Sequence, residues 1–289
     1  MSASSVHAID YGRSAAELAQ IAVPALHDSG YTGAGVLVCL LDDGFHLQDR
    51  HQATRMIQIP PGYRRDFPAR DTLVSGPNSD SHGLWTLACL GAKLPGQLVG
   101  AAPAPRTALA RTEVESTELP VEMLFWGMGA EWADSLGADI ISSSLGYNVF
   151  GDPSDSYTYA DMNGHTTDVS RAAEVAASKG ILVVNSAGNE GASPWRYIIA
   201  PADVNGDSLI AVGAVDDLGL ITTFSSWGPS ADGRVKPDLV ALGYRNPLPS
   251  PTDTTGYIVN SGDIAVRAVD RGGGRVPAAG AAQLDAAGS

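Results

Sequence analysis

The chain has little of what marks several protein classes. It contains only two cysteines, Cys39 and Cys89, and neither belongs to a CxxC pair or to a Cys/His cluster at zinc spacing, which argues against a structural metal site. Both read as small core residues. No apolar run approaches the roughly 18 residues that a bilayer-spanning helix needs, so the chain is expected to be soluble, with no membrane partner. Positive charge is scarce: 18 Lys and Arg against 32 Asp and Glu give a formal net charge of −14, which opposes the counterion release on which nucleic-acid binding rests. The acidic residues are scattered, as on a solvated surface. The opening stretch, MSASSVHAIDYGRS, has no basic segment followed by an apolar one, so no secretion signal is read there.

What remains is a composition suited to one large core, with 44% hydrophobic and 17% charged residues. Residues 15–23 read as a short amphipathic helix stopped by Pro24. A Gly-rich turn, YTGAG, then leads into VLVCLL (residues 36–41), a continuous apolar run of the kind that forms a strand buried on both faces. Two similar runs, ADIIS (residues 138–142) and GILVV (residues 180–184), each follow a helix-like stretch, residues 121–136 and 169–179. Residues 209–215 read as a further strand, and FSSWGP with ADGRVKPD as turn-rich connections. Strands alternating with helices predict an α/β fold with a mainly parallel central sheet covered on both sides. In such sheets ligands bind outside the carboxyl ends of the strands, which directs attention to Asp42, to residues 143–146 and to residues 185–189.

Each of these places carries a motif that is ambiguous alone. VLVCLLDDGF puts Asp42 at the end of a buried strand, where a carboxylate can orient an imidazole, but Asp-Asp-Gly after a strand also makes an ordinary turn. SHGLWTLACLGA starts a helical stretch at His82, which reads equally as a capping histidine. ILVVNSAGNEG ends a strand in a Gly-bearing turn with Asn189 exposed, either a turn residue or an amide donor to a developing oxyanion.

Together and in this order, the three segments resemble the subtilase family, the subtilisin-like serine proteases of peptidase family S8. The resemblance runs from about Tyr31 to Gly262, since VGAAPAPRTALARTE, ISSSLGY and FSSWGPSADGRVKPDLVALG are also similar to family segments in family order. It implies a three-layer subtilisin-like fold and hydrolysis of peptide bonds in protein substrates. Asp42 would be the triad acid, with Asp43 a turn or supporting residue, His82 the general base and Asn189 the side-chain half of the oxyanion hole. Ser144, Leu145 and Gly146 would line the groove in which substrate backbone pairs as an added strand. One departure is Leu84, where the family usually has Thr after His-Gly. Family members are mostly secreted. No cofactor is implied; the oxygen-rich loop SYTYADMNGHTTD is a candidate for structural calcium, with an ordinary solvated loop as its alternative. No GxSxG elbow, Walker loop or post-strand GxGxxG appears, which disfavours an unrelated hydrolase or nucleotide-binding domain.

The nucleophile motif, Gly-Thr-Ser, does not occur in the 289 residues. At its place the chain reads NSGDIAVRAVDRGGG, where Ser261 precedes Gly262 instead of following a Gly-Thr pair and is not read as a substitute. Composition changes after Gly262, and residues 263–289 show no strand or helix periodicity. Back-translated with C at every third codon position and read one base further on, this stretch gives Thr-Ser-Pro-Ser-Ala-Pro-Ser-Thr-Ala directly after Gly262. That restores Gly-Thr-Ser followed, after three residues, by Pro, which resembles the family's nucleophile pattern. The expectation is therefore a peptidase domain over residues 1–262, incomplete at its carboxyl end, and an out-of-frame or disordered tail over 263–289. The alternative is a noncatalytic pseudoprotease that binds peptides or inhibits.

Overall fold

The computed structural model describes residues 9–75, 81–114, 116–206 and 208–262; the tail expected over 263–289 lies outside the described residues. The chain opens with two short helices, α1 (Ala15–Gln20) and α2 (Val23–Asp28), followed by β1 (Leu37–Asp42), β2 (Arg64–Asp66), α3 (His82–Gly91), β3 (Lys93–Leu94), β4 (Leu98–Val99) and β5 (Arg106–Arg111). Next come α4 (Val121–Ser135), β6 (Ile140–Ser143), α5 (Asp168–Ser178), β7 (Leu182–Ser186), β8 (Leu209–Val215), β9 (Leu239–Leu242), β10 (Asn246–Pro249) and β11 (Tyr257–Asn260).

The seven-stranded central sheet has the order β2-β5-β1-β6-β7-β8-β9, and each of its neighbouring pairs is parallel. β1 lies in its interior, with Leu41 opposite both Ala110 of β5 and Ser143 of β6. Successive side chains of a strand point to opposite faces, and both faces here are covered. Leu37, Cys39 and Leu41 join Trp126 and Ala130 of α4 and Val169 and Ala173 of α5 in one core. Val36, Val38 and Leu40 join Leu87 and Leu90 of α3 in the other. This double burial is why VLVCLL is uniformly apolar; each fully buried Leu contributes roughly 1.5–3 kcal/mol. The indole of Trp126, fully buried in the first core, donates to Ser143 Oγ at 3.0 Å, which removes the penalty of an unpaired N–H.

Two sequence expectations need correction. Pro24 does not stop one helix over residues 15–23. It lies in the first turn of α2, where a missing N–H costs nothing, and the break comes at Ala22, whose φ of 59° interrupts the helical path. Of the two cysteines, Cys39 is in the core but Cys89 on α3 is only part-buried. Burial pushes both thiols up, away from the thiolate form. No helix among the described residues is long and apolar enough to cross a membrane.

Candidate active site

Because β1, β6 and β7 are adjacent and parallel, their carboxyl ends emerge side by side on one edge of the sheet. Asp42 is the last residue of β1, residues 144–146 follow β6 directly, and Asn189 lies three residues beyond β7. The topology thus gathers onto one edge residues that are as much as 147 positions apart in sequence.

Asp42 is almost wholly buried, with its side chain 1% exposed, and accepts from His82 Nδ1 at 2.7 Å; the imidazole itself is 33% exposed. The carboxylate is held on further sides. Thr86 Oγ1 donates to Oδ2 at 2.9 Å, and the backbone N–H of Asp43 donates to Oδ1 at 3.0 Å. The Asp42 carbonyl accepts from Thr112 N at 3.0 Å, which pins the end of β1 to the chain leaving β5. With Nδ1 carrying the proton toward a carboxylate, Nε2 is the basic nitrogen of the ring, the tautomer a general base requires.

His82 opens α3, and the approach of this helix to β1 depends on the residue after it. A Cβ at Gly83 would stand 2.3 Å from Gly44 O, closer than such atoms approach, so only glycine lets the helix start reach the turn after β1. Asp43 completes the junction: its Oδ1 accepts from Gly83 N at 3.1 Å, and its carbonyl accepts from Arg111 Nε at 2.7 Å. Arg111 in turn pairs with Asp66 at 3.1 Å. Burial, reinforced by the neighbouring Asp42 charge, pushes the Asp43 carboxyl up to about 8, against the opposing influence of His82 and the Gly83 N–H.

Asp42, Asp43 and His82 place one ligand atom each within 4.8 Å of one another, a spacing that a cation site also requires. The lone pairs are directed elsewhere, however: those of Asp42 toward His82, Thr86 and the Asp43 N–H, and Oδ1 of Asp43 toward Gly83. The arrangement is built to fix an imidazole. In the candidate calcium loop, Asp161 is committed to the Thr158 N–H and hydroxyl, and Asn163 Oδ1 to the N–H groups of His165 and Thr166.

The turn carrying Asn189 is equally constrained. Gly188 has a φ of 112°, a conformation that favours glycine, its carbonyl accepts from Ser226 N at 2.8 Å, and Ser226 Oγ accepts from Glu190 N at 2.9 Å. Asn189 is exposed between these two anchors. On the neighbouring segment, the Leu145 carbonyl accepts from Asn185 Nδ2 at 3.0 Å, and Tyr147 N donates to Ala200 O at 2.9 Å. Ser261, discounted as a nucleophile, has its hydroxyl oxygen engaged by the Arg245 N–H at 2.9 Å.

Sequence reasoning missed three supporting groups. Thr86 stands four positions after His82, one helical turn on, a spacing that could have marked it. Arg111 and, two residues beyond β5, Glu113, whose carboxyl accepts from Tyr147 and Thr112 beside the exit of β6, were passed over because β5, built of TALA, has no distinctive strand pattern. Leu84, the departure after His-Gly, is fully buried in the helix packing.

The Subtilase family profile (peptidase S8) matches residues 33–274. Subtilisin of Bacillus pumilus is 30% identical over 216 residues, covering 74% of this chain and 69% of that protein. Subtilisin E of Bacillus subtilis (strain 168) is likewise 30% identical over 216 residues, but the chain spans only 50% of its length. Among solved structures, the prenylagaramide maturation protease PagA superimposes with a TM-score of 0.62 at 21% identity, over 83% of this chain and 74% of that one. The self-cleaved protease domain of PatA gives 0.60 at 21% identity, over 80% and 76%. These structures share the fold. With the profile covering most of its length, the chain belongs to the subtilase family of subtilisin-like serine endopeptidases.

Proposed function

We propose that the enzyme encoded here hydrolyses peptide bonds of protein substrates through an Asp-His-Ser triad, and that the chain with the sequence given is inactive because a frameshift at about Gly262 replaces its nucleophile. The observation that carries the reading is the 2.7 Å bond from His82 Nδ1 to the buried Asp42, on the sheet edge where the Asn189 turn also emerges. His82 would accept the serine proton during attack and return it to the leaving amine, while Asp42 holds the ring and stabilises the imidazolium. Asn189 would donate to the oxyanion of the tetrahedral intermediate. Substrate backbone would pair along Ser144, Leu145 and Gly146 as an added strand. Without the serine there is no covalent step, and hydrolysis stays near background.

The packing of the sheet supports a segment missing from residues 9–262. On the face that α3 shares, Leu182, Ile210 and Ala241 are only part-buried. A cavity of about 50 Å³ lies between α1, α3 and β9, lined by Leu18, Cys89, Ala241 and Asn246 among others. Asn246 Oδ1 is buried with no hydrogen-bond partner among the described residues. Gly262 N donates to Gly243 O, just past β9, so a helix following Gly262 would start beside this face.

The coding DNA and a fluorophosphonate label together test the proposal. The shifted frame is expected to encode Thr-Ser directly after Gly262, completing Gly-Thr-Ser, and only a protein carrying that frame should take the label and cleave casein. Labelling of the chain as given would mean that another serine is the nucleophile. A natural reading frame without Gly-Thr-Ser, together with peptide binding but no cleavage, would favour the noncatalytic alternative.

A further inference from the structure

Ile199 occupies the space between the two segments that flank the candidate substrate site. A Cβ at Gly146 would stand 2.2 Å from Ile199 Cδ1 and 2.5 Å from Cγ1, and a Cβ at Gly188 would stand 2.9 Å from both. Two glycines on adjacent strand exits thus face one isoleucine, which would have to shift for a side chain at Gly146 and, together with Ser226 Oγ at 2.8 Å, for one at Gly188. The backbone holds Ile199 in place from both sides. Its N–H donates to Ala187 O at 3.2 Å, on the Asn189 turn, and the next carbonyl, of Ala200, accepts from Tyr147 N at 2.9 Å, just past Gly146. Ile199 is 8% exposed, so its side chain fills the gap instead of projecting over it.

We infer that Ile199 restricts this enzyme to substrates with a small residue, Gly, Ala or Ser, on the acyl side of the cleaved bond. The inference rests on the substrate seating proposed above. A peptide paired along residues 144–146 with its scissile carbonyl at Asn189 directs the side chain of the carbonyl-bearing residue between those two segments. A methyl or hydroxymethyl group fits above Ile199. A Leu or Phe side chain meets it, and rejection is steep because a close-packed isoleucine tied by backbone bonds at both ends has little room to move. Loss of one methylene of complementarity changes selection by about 10–200-fold in pockets of this kind.

The chain as given suffices for the test, because binding needs no nucleophile. The probes are acetyl-Ala-Ala-Ala-Xaa-amide peptides with Xaa as Ala, Ser, Leu or Phe, titrated into protein carrying ¹³C-labelled isoleucine δ1-methyl groups, with the Ile199 resonance assigned from Ile199→Val. The Ala and Ser peptides should shift that methyl and the Gly146 and Gly188 amides, and bind at least tenfold more tightly than the Leu and Phe peptides. Ile199→Gly should bring the Phe peptide to or below the dissociation constant of the Ala peptide. Equal affinity of the original chain for the Ala and Phe peptides, with the Gly146 and Gly188 amides responding, overturns the role of Ile199 and leaves the substrate site standing; this arm needs no variant to fold. No response from any peptide, in the original chain or in Ile199→Gly, overturns the seating itself and this inference with it.

Discussion

Asp43 Oδ1 accepts the backbone N–H of Gly83 at 3.1 Å, one residue past the imidazole that Asp42 orients, so adjacent acids at the exit of β1 serve the two consecutive residues that open α3. Asp42 aligns the ring and Asp43 aligns the helix that carries it. The pair is maintained at a cost, because two carboxyls buried side by side resist carrying two charges.

That cost is measurable as a dependence of stability on pH. The folded Asp43 carboxyl titrates at about 8, whereas in the unfolded chain it titrates near the ordinary value of about 4. Between these values the folded state holds a proton that the unfolded state has released, so this group's contribution to stability is complete below about pH 4 and is lost as pH rises through about 8. Asp43→Asn keeps an acceptor for Gly83 N and removes the titration. Thermal melts at pH 5 and pH 9 should show the variant gaining on the original chain at the higher pH; a constant difference would contradict this assignment.

Thr86→Val removes the donor to Asp42 Oδ2 while nearly preserving volume. A hydrogen bond to a charged group contributes about 1.5–3 kcal/mol, and urea unfolding at pH 7 should register a loss of that size. In a protein with Gly-Thr-Ser restored, kcat should fall more than KM rises, since the substitution loosens the triad acid and leaves the groove intact.

Gly83→Ala forces a methyl to within 2.3 Å of Gly44 O. Backbone must move on one side or the other, and a loss of about 3 kcal/mol or more is expected, at the upper end of the range for overpacking. Retention of full stability in denaturant titration would mean that the α3 start is not seated as described.

Glu113 and Tyr147 form a buried pair in which the phenol donates to the carboxyl, with Thr112 Oγ1 also donating at 3.2 Å. Burial chiefly, with the charge of Glu122 adding to it, raises the Glu113 carboxyl well above its ordinary range, which favours its neutral form. Glu113→Gln should therefore change stability by less than about 1 kcal/mol, whereas Tyr147→Phe, which strips a buried acceptor of its donor, should cost about 1–3 kcal/mol. The reverse order in chemical denaturation would show that the carboxyl is ionised.

The sequence alone determined the α/β class, because uniformly apolar runs such as VLVCLL admit few solutions other than a strand covered on both faces. It also marked Asp42, His82 and Asn189, since each stands where a run ends or a helix begins and motif order constrains all three. Its reading of α1 and α2 went wrong at Pro24, because proline is compatible with both the end of one helix and the first turn of the next, and only the φ at Ala22 decides between them. Strand β5 was illegible because Ala and Leu suit either element; pairing of Leu37 to Arg106 and onward made it a strand. What the tertiary structure alone decided is how the parts meet: the hold of Thr86 on Asp42, the apposition of Gly83 and Gly44, and the wedge of Ile199 between Gly146 and Gly188. These contacts join residues 39 positions apart for Gly83 with Gly44, 44 for Thr86 with Asp42, and 53 and 11 for Ile199 with Gly146 and Gly188, and no local pattern of side chains encodes a distance across a strand exit.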